Sequence, residues 1–129
     1  MILYRLLRHG EDPSEGLHAK DPSSSISVAD HVAYGSRGLS SRYISCSKSL
    51  EAIKNFASMS NVHPRRLVEI SIDETDYHIN VIDLTISDVL ESHIPSNHLG
   101  RGRYFAMHFQ EVLIEGHIPA DKIVREWEV

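Results

Sequence analysis

Cysteine is almost absent from this chain: its 129 residues hold one, Cys46. A single cysteine makes no internal disulfide and builds no zinc-finger site, so the fold does not depend on an oxidising compartment. Also missing are a Gly-x-Gly-x-x-Gly run and a Walker loop, which leaves Rossmann and P-loop nucleotide sites unsupported. No stretch approaches the roughly 20 apolar residues of a membrane span. The N-terminal Met1–Arg8 has no apolar run long enough for a signal core. The expectation is therefore an intracellular protein with no membrane partner. Basic residues are in deficit, 13 against 18 acidic, for a formal net charge of -5. That excludes a generally basic nucleic-acid surface but leaves room for a local patch. There are nine histidines, yet none has His-Glu-x-x-His spacing, so no metal site is expected.

What is present suits one globular domain over residues 1–129. Residues 2–7 read as a strand with Arg5 embedded in it. Ile26, Ala29, His31, Val32 and Ala33 sit near helical spacing, stopped by Gly35. Tyr43 to Ser45 reads as a strand. Leu50, Ile53, Phe56 and Ala57 form one face of a helix capped by Ser47 or Ser49. Strands are expected at 67–72 and 78–82 around an Asp-Glu-Thr-Asp turn, then a short helix at 86–91. Two more strands, 111–115 and 122–128, flank a Gly116–Pro119 turn. Loops are expected at 21–25, 61–66 and 96–103. The sum is an α+β protein with short strands, few short helices and no βαβ alternation.

Four places could carry chemistry. Arg5 lies in an apolar strand, where it either faces solvent or meets an anion. Arg8-His9-Gly10 looks like the signature of the histidine phosphatases, but no second His-Gly follows in this short chain, and His9 reads equally as a loop residue. Ser45 and Ser47 share one strand face by period two, either as a helix cap or as a brace for a carboxylate. Glu111 opens an apolar strand after a glycine-bearing loop; it is either exposed or a carboxylate at a cleft rim.

Taken in order, these residues resemble the heat-labile enterotoxin and cholera-toxin A-subunit family of mono-ADP-ribosyltransferases. Tyr4-Arg5 stands where that family opens with a Tyr-Arg strand. Glu11-Asp12-Pro13 and Gly16-Leu17 follow as its acidic, Pro-containing loop and Gly-Leu, and Asp30-His31 as its helical Asp-His pair. Ser45-Cys46-Ser47 matches its Ser-Thr-Ser, Phe109-Gln110-Glu111 its Glu-x-Glu, and Gly116-His117-Ile118-Pro119 its Gly-Ile-Pro turn, before a last strand with Trp127. The resemblance covers Leu3 to Val129. It implies a split β-sandwich with NAD, a substrate, in the cleft between two small sheets. It implies that Glu111 is catalytic, bonding the ribose 2′-hydroxyl. It gives Arg5 to the ribose–phosphate region, His31 to the nicotinamide-ribose side, and Ser45 and Ser47 to bracing the cleft and orienting Glu111. The reaction implied is ADP-ribose transfer to a macromolecular acceptor with release of nicotinamide. NAD glycohydrolysis and a non-catalytic NAD or ADP-ribose-binding module are the alternatives. If the chain is a domain of a larger toxin, secretion or delivery is expected.

The chain departs from that pattern at two positions. Cys46 replaces the middle threonine on the opposite strand face. Phe109 replaces the glutamate with which arginine-modifying members receive a guanidinium; Glu115 is the nearest substitute, and an aromatic suits a flat acceptor such as a nucleobase. Arg101 and Arg103 in the preceding loop are the expected acceptor contacts, meeting phosphate or an acidic protein surface.

Overall fold

The architecture was taken from a computed structural model that describes residues 1–34 and 39–129. Among these, the chain is mixed α+β, with four helices and an antiparallel sheet of six strands. The strands of that sheet are β1 (Ile2–Leu6), β3 (Tyr43–Ser47), β4 (Arg66–Ser71), β5 (Val81–Asp83), β6 (Glu111–Glu115) and β8 (Ile123–Glu128), in the order β5-β6-β3-β1-β4-β8. A separate ribbon pairs β2 (Leu17–His18) with β7 (His117–Ile118). The helices are α1 (Val28–Tyr34), α2 (Leu50–Ser58), α3 (Ser87–His93) and α4 (Gly102–His108).

The sheet is nearly two. β1 pairs with β4 over five register positions, and β3 with β6 over five, but β1 meets β3 only at Tyr4 and Ser47. Side-chain alternation then sorts the residues by face. On one face Leu3, Leu7, Ile44, Cys46, Val68, Ile70, Val112 and Ile114 form a continuous core, closed by Leu17 and Ile118 of the ribbon. On the other face there are two cores. Helices α1, α3 and α4 cover Tyr43, Ile82 and Leu113 on one half-sheet, and α2 covers Leu67 and Trp127 on the other. Ser45, Ser47 and Glu111 form a polar row between those two cores.

Side-chain caps start α1 and α2, whereas α3 and α4 begin without one. Ser27 Oγ accepts the N–H of Asp30, and Ser49 Oγ accepts that of Ala52, so Ser49 rather than Ser47 caps α2. Close packing of α4 on α1 depends on Gly102, where a Cβ would lie 3.0 Å from the Ala29 carbonyl oxygen. Two expectations need correction. The strand expected at 78–82 starts later and runs Val81–Asp83, because the side chains of Asp73 and Asp76 accept the N–H groups of Thr75 and His78 and hold the chain in turns. The loop expected at 96–103 gives way at Gly102 to a helix, so Glu111 follows α4 and not a loop. The expected helix stop at Gly35 lies outside the described residues.

Gly16 anchors the ribbon at φ 81°, and a Cβ there would meet the backbone oxygen of Ile118 at 2.7 Å. The variant Gly16→Ala is expected to be destabilised by about 2–4 kcal/mol, combining backbone strain with overpacking. Urea unfolding measures this; a loss under 0.5 kcal/mol would show that the ribbon yields without strain.

Candidate active site

Where β1 and β3 part, the Ser45 carbonyl accepts a hydrogen bond from Arg5 Nη1 at 2.8 Å. The arginine therefore takes the place of backbone pairing in the gap between the half-sheets. Its side chain is 9% exposed, and its other terminal nitrogen donates to Glu11 Oε1 at 3.0 Å. Burial of this charge is tolerable because the carboxylate accompanies it. The same oxygen accepts the Arg8 N–H at 2.7 Å and lies 3.4 Å from Arg8 Nε. Burial raises the Glu11 pKa, but the charge of Arg5 and the Arg8 N–H outweigh it and hold the carboxyl below its usual range. Arg5 Nε and Glu11 Oε2 are buried without a hydrogen-bond partner.

His31 projects from α1 onto the opposite side of Ser45. Its Nε2 lies 2.7 Å from Ser45 Oγ, and its Nδ1 meets Ser41 Oγ, which also accepts the Tyr43 N–H. The ring packs edge-on to Tyr43 at 5.7 Å between centroids. Burial, reinforced by the charge of Arg5, pushes the His31 pKa down to about 4, so the ring is neutral at pH 7. A ring protonated at Nε2 donates to Ser45 Oγ and accepts at Nδ1 from Ser41, whose hydroxyl also lies 3.5 Å from the Tyr43 carbonyl. In that tautomer the Ser45 hydroxyl keeps its proton for the Glu111 carboxyl, whose pKa it lowers.

Glu111 is aimed by the turn before it. Gln110 holds φ 48°, a left-handed conformation costly for a residue with a Cβ. Ser47 Oγ donates to the Phe109 carbonyl at 2.7 Å and accepts the Ser49 N–H at 3.0 Å, which fixes that turn to β3. Burial pushes the Glu111 pKa up to about 7 against the opposing pull of the Ser45 hydroxyl and Arg5. The Cys46 thiol, on the other face, is pushed up to about 12 by burial and is chemically inert at neutral pH.

The structure thus brings together Arg5, His31, Ser45, Ser47 and Glu111. It adds two residues to which sequence reasoning gave no role: Glu11, as the partner of Arg5, and Ser41, as the partner of His31. Phe109 ends α4 with its ring edge-on to Phe56 at 5.3 Å and stacked with Phe105 at 6.4 Å. Arg101 lies over the rings of Tyr104 and Phe105, whereas Arg103 is tied to Glu91 at 3.0 Å and the Ile94 carbonyl at 2.8 Å. Glu115 does not stand near Phe109 as the expected substitute: it sits at the far end of β6, bonded to Arg42 and Asn80. His9 is exposed on the turn after β1. Among the described residues no cluster of three or more His, Cys, Asp or Glu could hold a metal, and no helix is long and apolar enough to cross a membrane.

No protein-family model matches the chain, and no curated protein matches it. Among solved structures it is similar to EcPltA, with a TM-score of 0.65 over 98% of this chain and 74% of that one, at 16% identity. At that identity the likeness speaks for the fold alone.

The two shifted groups load stability in opposite directions. Glu111, raised to about 7, favours the fold while protonated, and that contribution is lost as pH rises from about 4.5 through 7. His31, lowered to about 4, favours the fold while neutral, and its contribution is lost as pH falls from about 6.5 towards 4. The variant Glu111→Gln is therefore expected to melt above wild type at pH 8, with the gap closing at pH 5. Equal melting temperatures at pH 8 would mean that the carboxylate is not desolvated.

Proposed function

We propose that this chain is an NAD-cleaving ADP-ribosyltransferase of the enterotoxin-like kind, transferring ADP-ribose to a macromolecular acceptor. The observation that carries the reading is the convergence of Arg5, His31, Ser45 and Glu111, from four separate elements, at the gap between β1 and β3. The resemblance assigns those same four residues to one site. A sheet joined at a single residue pair also supports the split β-sandwich reading, with NAD between the halves.

The chemistry follows from the charges. The bond between ribose C1′ and nicotinamide breaks with its electron pair leaving on nicotinamide, and positive charge builds on the sugar. An ionised Glu111 beside that charge stabilises the transition state more than the ground state, and it accepts a hydrogen bond from the 2′-hydroxyl. Ser45 and the turn braced by Ser47 fix its direction. Arg5 meets the phosphate–ribose portion through a fork that stays charged. Neutral His31 lines the nicotinamide-ribose side without adding positive charge there. The acceptor's nucleophile bonds to C1′ and its proton passes to solvent; with water as the acceptor, the reaction is NAD hydrolysis.

Phe109, packed with Phe56 and Phe105, does not receive a guanidinium by charge. It suits a flat acceptor such as a nucleobase. Modification mapped by mass spectrometry to protein arginine would overturn this choice of acceptor.

Nicotinamide release from NAD tests the activity. Wild type is expected to release it, and Glu111→Ala to lose at least about 10²-fold in rate. The wild-type rate is expected to rise with pH through about 7 as the Glu111 carboxyl ionises. NAD binding without release would identify a binding module, and no binding of NAD at all would refute the reading.

A further inference from the structure

Two guanidinium groups and a backbone N–H converging on one oxygen are the donor set of a phosphate site. Here Arg5, Arg8 and the Arg8 N–H provide that set, and the oxygen belongs to Glu11 of the same chain. A permanent structural pair so deeply buried is expected to be bidentate, with both fork atoms used. This one is not. Glu11 Oε1 takes all three contacts, while Oε2 and Arg5 Nε, both buried, have no hydrogen-bond partner. The carboxylate fills the site without matching it.

A way out is also present. The loop backbone is held independently, since Arg66 Nη2 donates to the Glu11 carbonyl at 3.0 Å. Glu11 borders an open groove lined with Arg8, His9, Gly10, Lys20 and Val62. Arg8 belongs both to that groove and to the buried cluster, and its own side chain is 28% exposed. The groove gives the Glu11 side chain a direction in which to turn away from Arg5 and the Arg8 N–H.

We propose that Arg5, Arg8 and the Arg8 N–H form an anion site for a pyrophosphate group, and that Glu11 is its resident, exchangeable occupant in the free protein. The pyrophosphate displaces Glu11 from Arg5 and takes up the unused Nε. Glu11 is then a gate on the site and not a catalytic residue. The choice of pyrophosphate rests on the NAD reading; the displaceable carboxylate rests on the geometry alone.

Calorimetric titration with inorganic pyrophosphate separates the two, because it requires no turnover. Glu11→Gln removes the competing charge and keeps the shape. It is expected to bind pyrophosphate about tenfold or more tighter than wild type. Its melting temperature without ligand is expected to fall, since Arg5 loses its counter-ion, and pyrophosphate is expected to raise it by more degrees than it raises that of wild type. A purely structural Glu11 predicts equal or weaker binding, and that result would overturn the proposal. If Glu11→Gln does not fold, Glu11→Asp serves, with its carboxylate withdrawn by one methylene: tighter binding than wild type supports the gate, and equal or weaker binding refutes it. Pyrophosphate bound more tightly by the variant, with no NAD binding by wild type, would refute the NAD reading and leave the gate standing.

Discussion

The burial of Arg5 is the constraint on which the rest of this molecule depends. A guanidinium in the gap of a sheet must be solvated by something, and the chain supplies the Ser45 carbonyl on one side and Glu11 on the other. From that follow the departure of β1 from β3 and the loop that folds back after β1. The polarity of the seam follows as well. The charge of Arg5 then acts on its surroundings, lowering the pKa values of Glu11, His31 and Glu111 relative to what burial alone sets. For His31 this adds to burial; for the two carboxyls it opposes burial. One cation thus helps to keep a histidine neutral and a glutamate able to ionise.

Ser45 is the junction of the site. Its carbonyl holds Arg5, while its hydroxyl lies between His31 and Glu111, so a displacement of β3 is felt by all three. Ser47, two residues on, acts through the backbone, gripping the carbonyl of Phe109 across the sheet. The pair therefore divides the work: one serine contacts the groups of the seam, and the other holds the turn that presents Glu111. Because both face the same way on an edge of the split, they sit between the helical cores and not inside one.

Much of this was legible in the residues. Arg5, His31, Ser45, Ser47 and Glu111 were marked as candidates by their order along the chain, and the structure gathers them. Glu11 was passed over as one acid in a loop. Its partner is reached through a turn with Gly10 at φ 85°, and no periodicity announces such a contact. Ser41 was missed for the same reason. Helix α4 escaped because it buries only Gly102 and Ala106, too small to print an apolar stripe, while Gly100 and Gly102 at its start read as loop. The strand at 78–82 was placed too early because Asp73 and Asp76 compete for backbone N–H groups, an effect of local side-chain chemistry that outweighs hydrophobic pattern.

The single joint between β1 and β3 has a consequence for how the protein is made. Arg5 lies near one end of the chain and Glu111 near the other, and neither half-sheet alone contains both. The residues of the seam meet only after β3 has paired with β6 and β1 with β3, both long-range closures and slow events in a chain of this kind. A nascent or clipped molecule therefore lacks the assembled seam, and any ligand that bridges the halves adds its binding energy to the complete fold alone.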